Sequence, residues 1–107
     1  MTYRYAVLGS GRQGTAAAYD FGRFGEAEVI FLADSDLRQA ELAAARVNRL
    51  LGGPAAQPVE LDASDPHSIA GWLRRERVTA FLSAVPYFFN RSFSSEPPFT
   101  PIRIGTF

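Results

Sequence analysis

Short apolar runs alternate along the chain with longer stretches in which apolar residues recur every three or four positions. Residues 4–8 (RYAVL) are a β-prone run that stops at Gly9. The alanine-rich stretch 13–24 (QGTAAAYDFGRF) reads as a helix, with Gly22 and Gly25 weakening its end and letting the chain turn. Residues 28–33 (EVIFLA) are apolar without a break from Val29, the mark of a strand covered on both faces. Asp36 suits an N-cap, and Gln39 three residues on completes a capping box. The segment LRQAELAAARVNRLL then sets Leu37, Ala40, Ala44, Val47 and Leu51 on one helical face, before Gly52-Gly53-Pro54 ends it. Residues 57–61 (QPVEL) predict a weaker strand, with Pro58 near its start or at a sheet edge. Asp65 and Pro66 open a third helix, whose buried face is Ile69, Trp72 and Leu73. Residues 78–85 (VTAFLSAV) form a fourth strand closed by Pro86.

This β-α-β-α-β-α-β order predicts an α/β fold: a parallel sheet of about four strands with helices on both faces. The unit spans residues 1–90. From Arg91 the sequence RSFSSEPPFTPIRIGTF has three prolines and no useful periodicity, so residues 91–107 read as an irregular or disordered tail. The fourth strand would then be an incomplete sheet edge. An apolar patch of Phe81, Val85, Phe88 and Phe89 would favour a homo-oligomer.

Composition narrows the classes. Eleven basic and eleven acidic residues cancel, which argues against a nucleic-acid partner, since that needs a basic surplus. Cysteine is absent, excluding disulfides and thiolate metal sites. No apolar run approaches the ~20 residues of a membrane span. The start MTYRYAVLGSG reads as a strand and not a signal peptide, so a cytoplasmic location is expected.

The chemistry lies in Gly9-Ser10-Gly11-Arg12-Gln13-Gly14, a full GxGxxG between a strand and a helix. Gly9 makes the tight turn, Gly11 leaves room for a pyrophosphate, and Gly14 lets helix and strand approach. The helix N-terminus then meets the phosphates with free N–H groups and a positive dipole end. This is the Rossmann-type pattern. Asp34, followed by Ser35, ends the second strand twenty residues after Gly14, where a dinucleotide site places an acid for the ribose hydroxyls. Its charge opposes a 2′-phosphate and favours NAD over NADP; Arg12 and Arg38 could soften that preference. Without a ligand, the glycines would be a plain tight turn and Asp34 a cap, a role Asp36 already fills.

Two further loops belong to the same sheet edge. Asp62, with Ala63 beside it, either hydrogen-bonds an adenine amino group or serves the loop itself. Ala84, Val85 and Pro86 follow the fourth strand, where the nicotinamide-side ribose and phosphate would lie. His67, the single histidine, has no identifiable catalytic partner and reads as a surface residue. Phe31, Phe81, Phe88 and Trp72 read as core.

Taken in order, YAVLGSGRQGTAAAYDF, LADSD with AAARVN, LDASD and FLSAVPYFFN resemble the start of saccharopine dehydrogenase-like oxidoreductases over residues 3–90. The resemblance implies a nicotinamide cofactor and substrates that are amino acids or their imine-linked adducts. It maps Gly9, Gly11, Gly14, Asp34 and Asp62 onto the cofactor motif and Pro86 onto a loop proline. In that family a helix, a strand and a large substrate domain follow, and this sequence does not continue that way. A shifted reading frame after Asn90 is one account of the break. The expectation is therefore a nicotinamide dinucleotide-binding fragment that is not catalytically competent alone, with no catalytic or metal-ligating residue assigned. A nucleotide-sensing oligomeric module and a truncated remnant that binds nothing are the alternatives.

Overall fold

The apolar run of residues 5–8 serves two cores at once. A computed structural model describes residues 2–62, 64–84 and 103–106. In it, β1 (Tyr3–Leu8) and β2 (Ala27–Asp34) run parallel at the centre of a sheet. Side chains alternate across a strand. Ala6, Leu8, Val29, Phe31 and Ala33 therefore face one layer, and Tyr5, Val7, Ile30 and Leu32 face the other.

Helix α1 (Arg12–Phe24) and helix α2 (Leu37–Leu51) cover the second face with small residues, Ala17, Ala18, Ala43 and Ala44, together with Val47. Helix α3 (Pro66–Arg75) covers the first with Ile69, Ala70 and Leu73. Asp65 caps α3 by accepting from the Ser68 N–H, with Pro66 at the first helical position as expected. Trp72 is half-buried and meets Phe31 edge-on, 5.0 Å between ring centres. On α2 the inward face is Ala40, Ala43, Ala44 and Val47, whereas Leu37 is exposed. Asp36 does cap this helix, but it accepts from the N–H of Arg38 and not from that of Gln39, which a capping box requires.

Strands β3 (Ala56–Glu60) and β4 (Ala80–Ser83) complete the expected four-stranded parallel sheet, with helices on both faces. A fifth strand, β5 (Arg103–Thr106), pairs parallel to β4 and gives the order β3-β2-β1-β4-β5. The reading of 91–107 as irregular is thus corrected at 103–106; the rest of that tail lies outside the described residues. β5 also removes the argument for an open edge at β4. Phe81, read as core and also as part of an exposed patch, is 2% exposed and packs in the α3-side core. Val85, Phe88 and Phe89 lie outside the described residues. No helix among the described residues is long and apolar enough to cross a membrane.

In this strand order the chain leaves β1 toward β2 on one side and returns to β4 on the other. The carboxyl ends of β1 and β4 therefore flank a crevice at a topological switch point.

Candidate functional site

The glycine turn occupies that crevice. Gly9 has φ 96°, a left-handed value that favours glycine, and its N–H donates to the Ala33 carbonyl. A β-carbon at Gly14 would lie 1.8 Å from the Gly9 carbonyl oxygen and 3.4 Å from Val7 Cγ1, so the close approach of α1 to β1 requires glycine. Gly11 differs. Its φ of −71° suits any residue, and a β-carbon there would meet nothing within 4 Å. The chain itself gives no steric reason for glycine at this position.

Gly11 is the N-cap of α1 and offers no side-chain cap. Among the described residues, the N–H groups of Gly11, Arg12, Gln13 and Gly14 have no acceptor. They are the open donors at the mouth of a 13-residue helix, and no acidic residue occupies its first turn. Arg12 and Gln13 are exposed at the same mouth.

Asp34 faces this turn. Its Oδ2 accepts from the Ser10 N–H at 3.0 Å and from the Ser10 hydroxyl at 2.6 Å, and Oδ1 accepts from the Asp36 N–H at 2.9 Å. Burial raises its pKa, but the hydrogen bonds from Ser10, Asp36 and the Ser35 hydroxyl outweigh burial, leaving the carboxyl below its ordinary value. Asp34 is therefore an anion tied to the glycine turn and not a helix cap. Ser10 is buried and also accepts, through its carbonyl, from the Thr15 hydroxyl. Ser35, Asp36 and Arg38 are exposed just beyond.

Asp62 lies after β3. Its Oδ1 accepts from both the N–H and the hydroxyl of Ser64, an Asx-type turn, and the Ser64 hydroxyl leads the causes that hold its carboxyl below the ordinary range. The loop role weighed for it is present. Ala84 sits at the end of β4 and donates its N–H to Leu8, which brings this loop beside the glycine turn. Ala63, Val85 and Pro86 lie outside the described residues. His67 is exposed at the start of α3, beside the capping Asp65. No cluster of three or more metal-ligating side chains occurs among the described residues.

Sequence reasoning missed the Ser10–Asp34 contact. The residue types were visible, a hydroxyl at the second residue of the turn and a carboxylate at the end of the next strand, but spacing alone does not show that the two meet.

A glycine turn, an open helix N-terminus and a strand-end acid on a 3-2-1-4-5 sheet define a Rossmann-type α/β fold. The sequence matches no family model and no curated protein. Among solved structures, the chain is similar to quinate dehydrogenase from Corynebacterium glutamicum in complex with NAD. The TM-score is 0.60 at 23% identity, covering 80% of this chain and 28% of that one. A short-chain type dehydrogenase/reductase from Mycobacterium marinum gives a TM-score of 0.61 at 17% identity, over 75% and 33% of the two chains. The short-chain alcohol dehydrogenase RspB from E. coli, complexed with NADH, gives 0.55 at 13%, over 98% and 36%. These likenesses establish the fold, and the chain spans about a third of each neighbour's length.

Proposed function

We propose that this chain binds the ADP half of a nicotinamide dinucleotide at the glycine turn. The diphosphate would accept from the open N–H groups at the mouth of α1, and Asp34 would accept from the adenosine ribose. The observation that carries this reading is Gly11: the chain's own packing does not require glycine there, whereas a pyrophosphate lying on the turn does. Asp34 is anionic and already aimed at the turn. A ribose hydroxyl would take the acceptor position now shared with the exposed Ser35. The same charge, reinforced by Asp36, disfavours a 2′-phosphate and supports NAD over NADP. Asp62 Oδ2 accepts no hydrogen bond from the other described residues, which suits an adenine amino group, and the loop of Ala84, Val85 and Pro86 would approach the nicotinamide side.

Membership of the saccharopine dehydrogenase-like oxidoreductases rests on the order of motifs ending in SAVPYFFN. In that reading the chain supplies the cofactor half of a hydride-transfer enzyme, and the substrate pocket and acid–base groups come from elsewhere. The structures it resembles include complexes with NAD and NADH, in keeping with this cofactor. Calorimetric titration of the chain with NAD, NADP and AMP tests the reading. NAD binding more tightly than NADP is the expected result. A flat titration with all three, on a sample whose circular dichroism is that of a folded α/β protein, overturns it.

A further inference from the structure

Beyond the glycine turn, the outward side of the α1–α2 layer has chemistry that dinucleotide binding does not use. A groove of about 520 Å³ runs between the helices from the glycine turn, lined among others by Ala16, Leu42, Ala43, Arg46 and Leu50. Past Tyr19 and Leu50 it continues into a second hollow of about 460 Å³, beside Gly22, Arg23 and Leu51. Leu42 and Leu50 are 56% and 58% exposed, unusually open for leucines that line a concavity. The charged residues lining the two hollows are Arg12, Arg23 and Arg46, and none is acidic among the described residues. No ion pair to these three occurs among the described residues either.

We infer that this groove docks an acidic amphipathic helix of another protein, apolar face on Leu42 and Leu50 and carboxylates on Arg23 and Arg46. Charge selects that occupant. Helices α1 and α2 carry five arginines (12, 23, 38, 46 and 49) against Asp20 and Glu41, a surplus of three positive charges in a chain whose total is zero. A second copy would bring the same positive surface against itself. The chain's own residues 85–102 hold one base, Arg91, and one acid, Glu96, and so offer no negative surplus. Length agrees as well: the 13 residues of α1 give a groove of roughly 20 Å, the span of three to four helical turns.

The test uses the full chain and a fluorescein-labelled peptide of about fourteen residues, with leucines at i, i+3, i+7 and i+10 and glutamates elsewhere. A lysine-for-glutamate version is the control. Anisotropy should show the acidic peptide binding at least about tenfold more tightly than the basic one. Arg46→Glu should weaken it by about tenfold, and the pair Leu42→Ser with Leu50→Ser by at least as much. All three sites are exposed, so the variants keep the fold, and NAD titration of each should match the parent. Equal binding of both peptides, or an unchanged affinity in Arg46→Glu, overturns the inference. So does sedimentation showing a dimer that Leu42→Ser with Leu50→Ser abolishes, because a second copy would then own the groove. NAD binding is read separately, so failure here leaves the dinucleotide reading standing, and the reverse.

Discussion

Ser10 donates twice to the same oxygen of Asp34, through its N–H at 3.0 Å and its hydroxyl at 2.6 Å, and so ties the glycine turn to the end of β2. The contact gives Asp34 two tasks, shaping the turn and presenting a negative charge in the crevice. Asp34→Asn removes the charge and lets the amide oxygen keep accepting from Ser10, while its Nδ2 faces the Asp36 N–H and gives up that one bond. NAD affinity should fall about 10- to 100-fold, the equivalent of the ~1.5–3 kcal/mol of hydrogen bonds to a charged partner. The preference for NAD over NADP should shrink at the same time. Calorimetry with both cofactors reads both effects.

Gly14 and Gly11 should respond in opposite ways to the same added methyl. In Gly14→Ala the new carbon overlaps the Gly9 carbonyl oxygen, a backbone atom that cannot rotate away. Urea unfolding should show a loss of about 3 kcal/mol or more. In Gly11→Ala the carbon points into open space at an ordinary φ, so stability should stay within about 1 kcal/mol. Dinucleotide binding should nonetheless fall sharply in Gly11→Ala. If that variant binds NAD as the parent does, the turn does not carry a pyrophosphate.

The carboxyl of Asp34 makes stability depend on acid. Its pKa is lower folded than unfolded, so the unfolded chain takes up protons first as pH drops. The contribution is whole above the ordinary carboxylate value of 3.8 and is lost as pH falls through the lowered one. Asp62 and Asp65 act in the same direction, held down chiefly by the hydroxyls of Ser64 and Ser68. Thermal melts should therefore be flat from about pH 7 to 5 and fall steeply below about pH 4. Asp34→Asn should lessen that fall, and a melt curve as steep as the parent's would assign the acid sensitivity elsewhere.

Much of this was legible because one face of each element is buried. The β-prone run RYAVL and the apolar run of β2 foretold a two-sided sheet, and Asp36, Asp65 and Pro66 marked helix starts that the structure keeps. What escaped depends on contacts distant in sequence. β5 has the composition Arg-Ile-Gly-Thr, too short and too mixed to show a period, and its reason for being extended is the free edge of β4. The turns into β2 and β4 place left-handed backbone at Glu26 and Arg77, not at the glycines that composition favours. Gly22 lies inside the last turns of α1, where a β-carbon would press on Leu51 and Ile30, a packing need that composition does not show. At the site, the residue types and their edge were readable. The Ser10–Asp34 bond was not, because nothing in spacing alone distinguishes a carboxylate that awaits a ligand from one that also braces the turn.

Asn48 carries the firmest stability prediction. Its Nδ2 donates to the Ala56 carbonyl at 2.9 Å and its Oδ1 accepts from the Ala56 N–H at 2.8 Å, so one side chain on α2 completes the backbone of the first residue of β3. Ala56 is buried and both bonds are part-buried, so water replaces them poorly. Asn48→Ala should cost about 2–3 kcal/mol in urea unfolding, since it leaves a buried donor and a buried acceptor unmet. Asn48→Asp keeps the acceptor for the N–H but sets a negative oxygen against the Ala56 carbonyl. Its carboxyl should therefore have a raised pKa in the folded state, and the native chain would bind the proton more tightly than the unfolded one. The sign is then opposite to that at Asp34: relative to the parent, Asn48→Asp should recover stability as pH falls from about 7 to 5, because a protonated carboxyl can donate where the amide did. A pH-independent difference between Asn48→Asp and the parent would show that the Ala56 carbonyl does not depend on this donor.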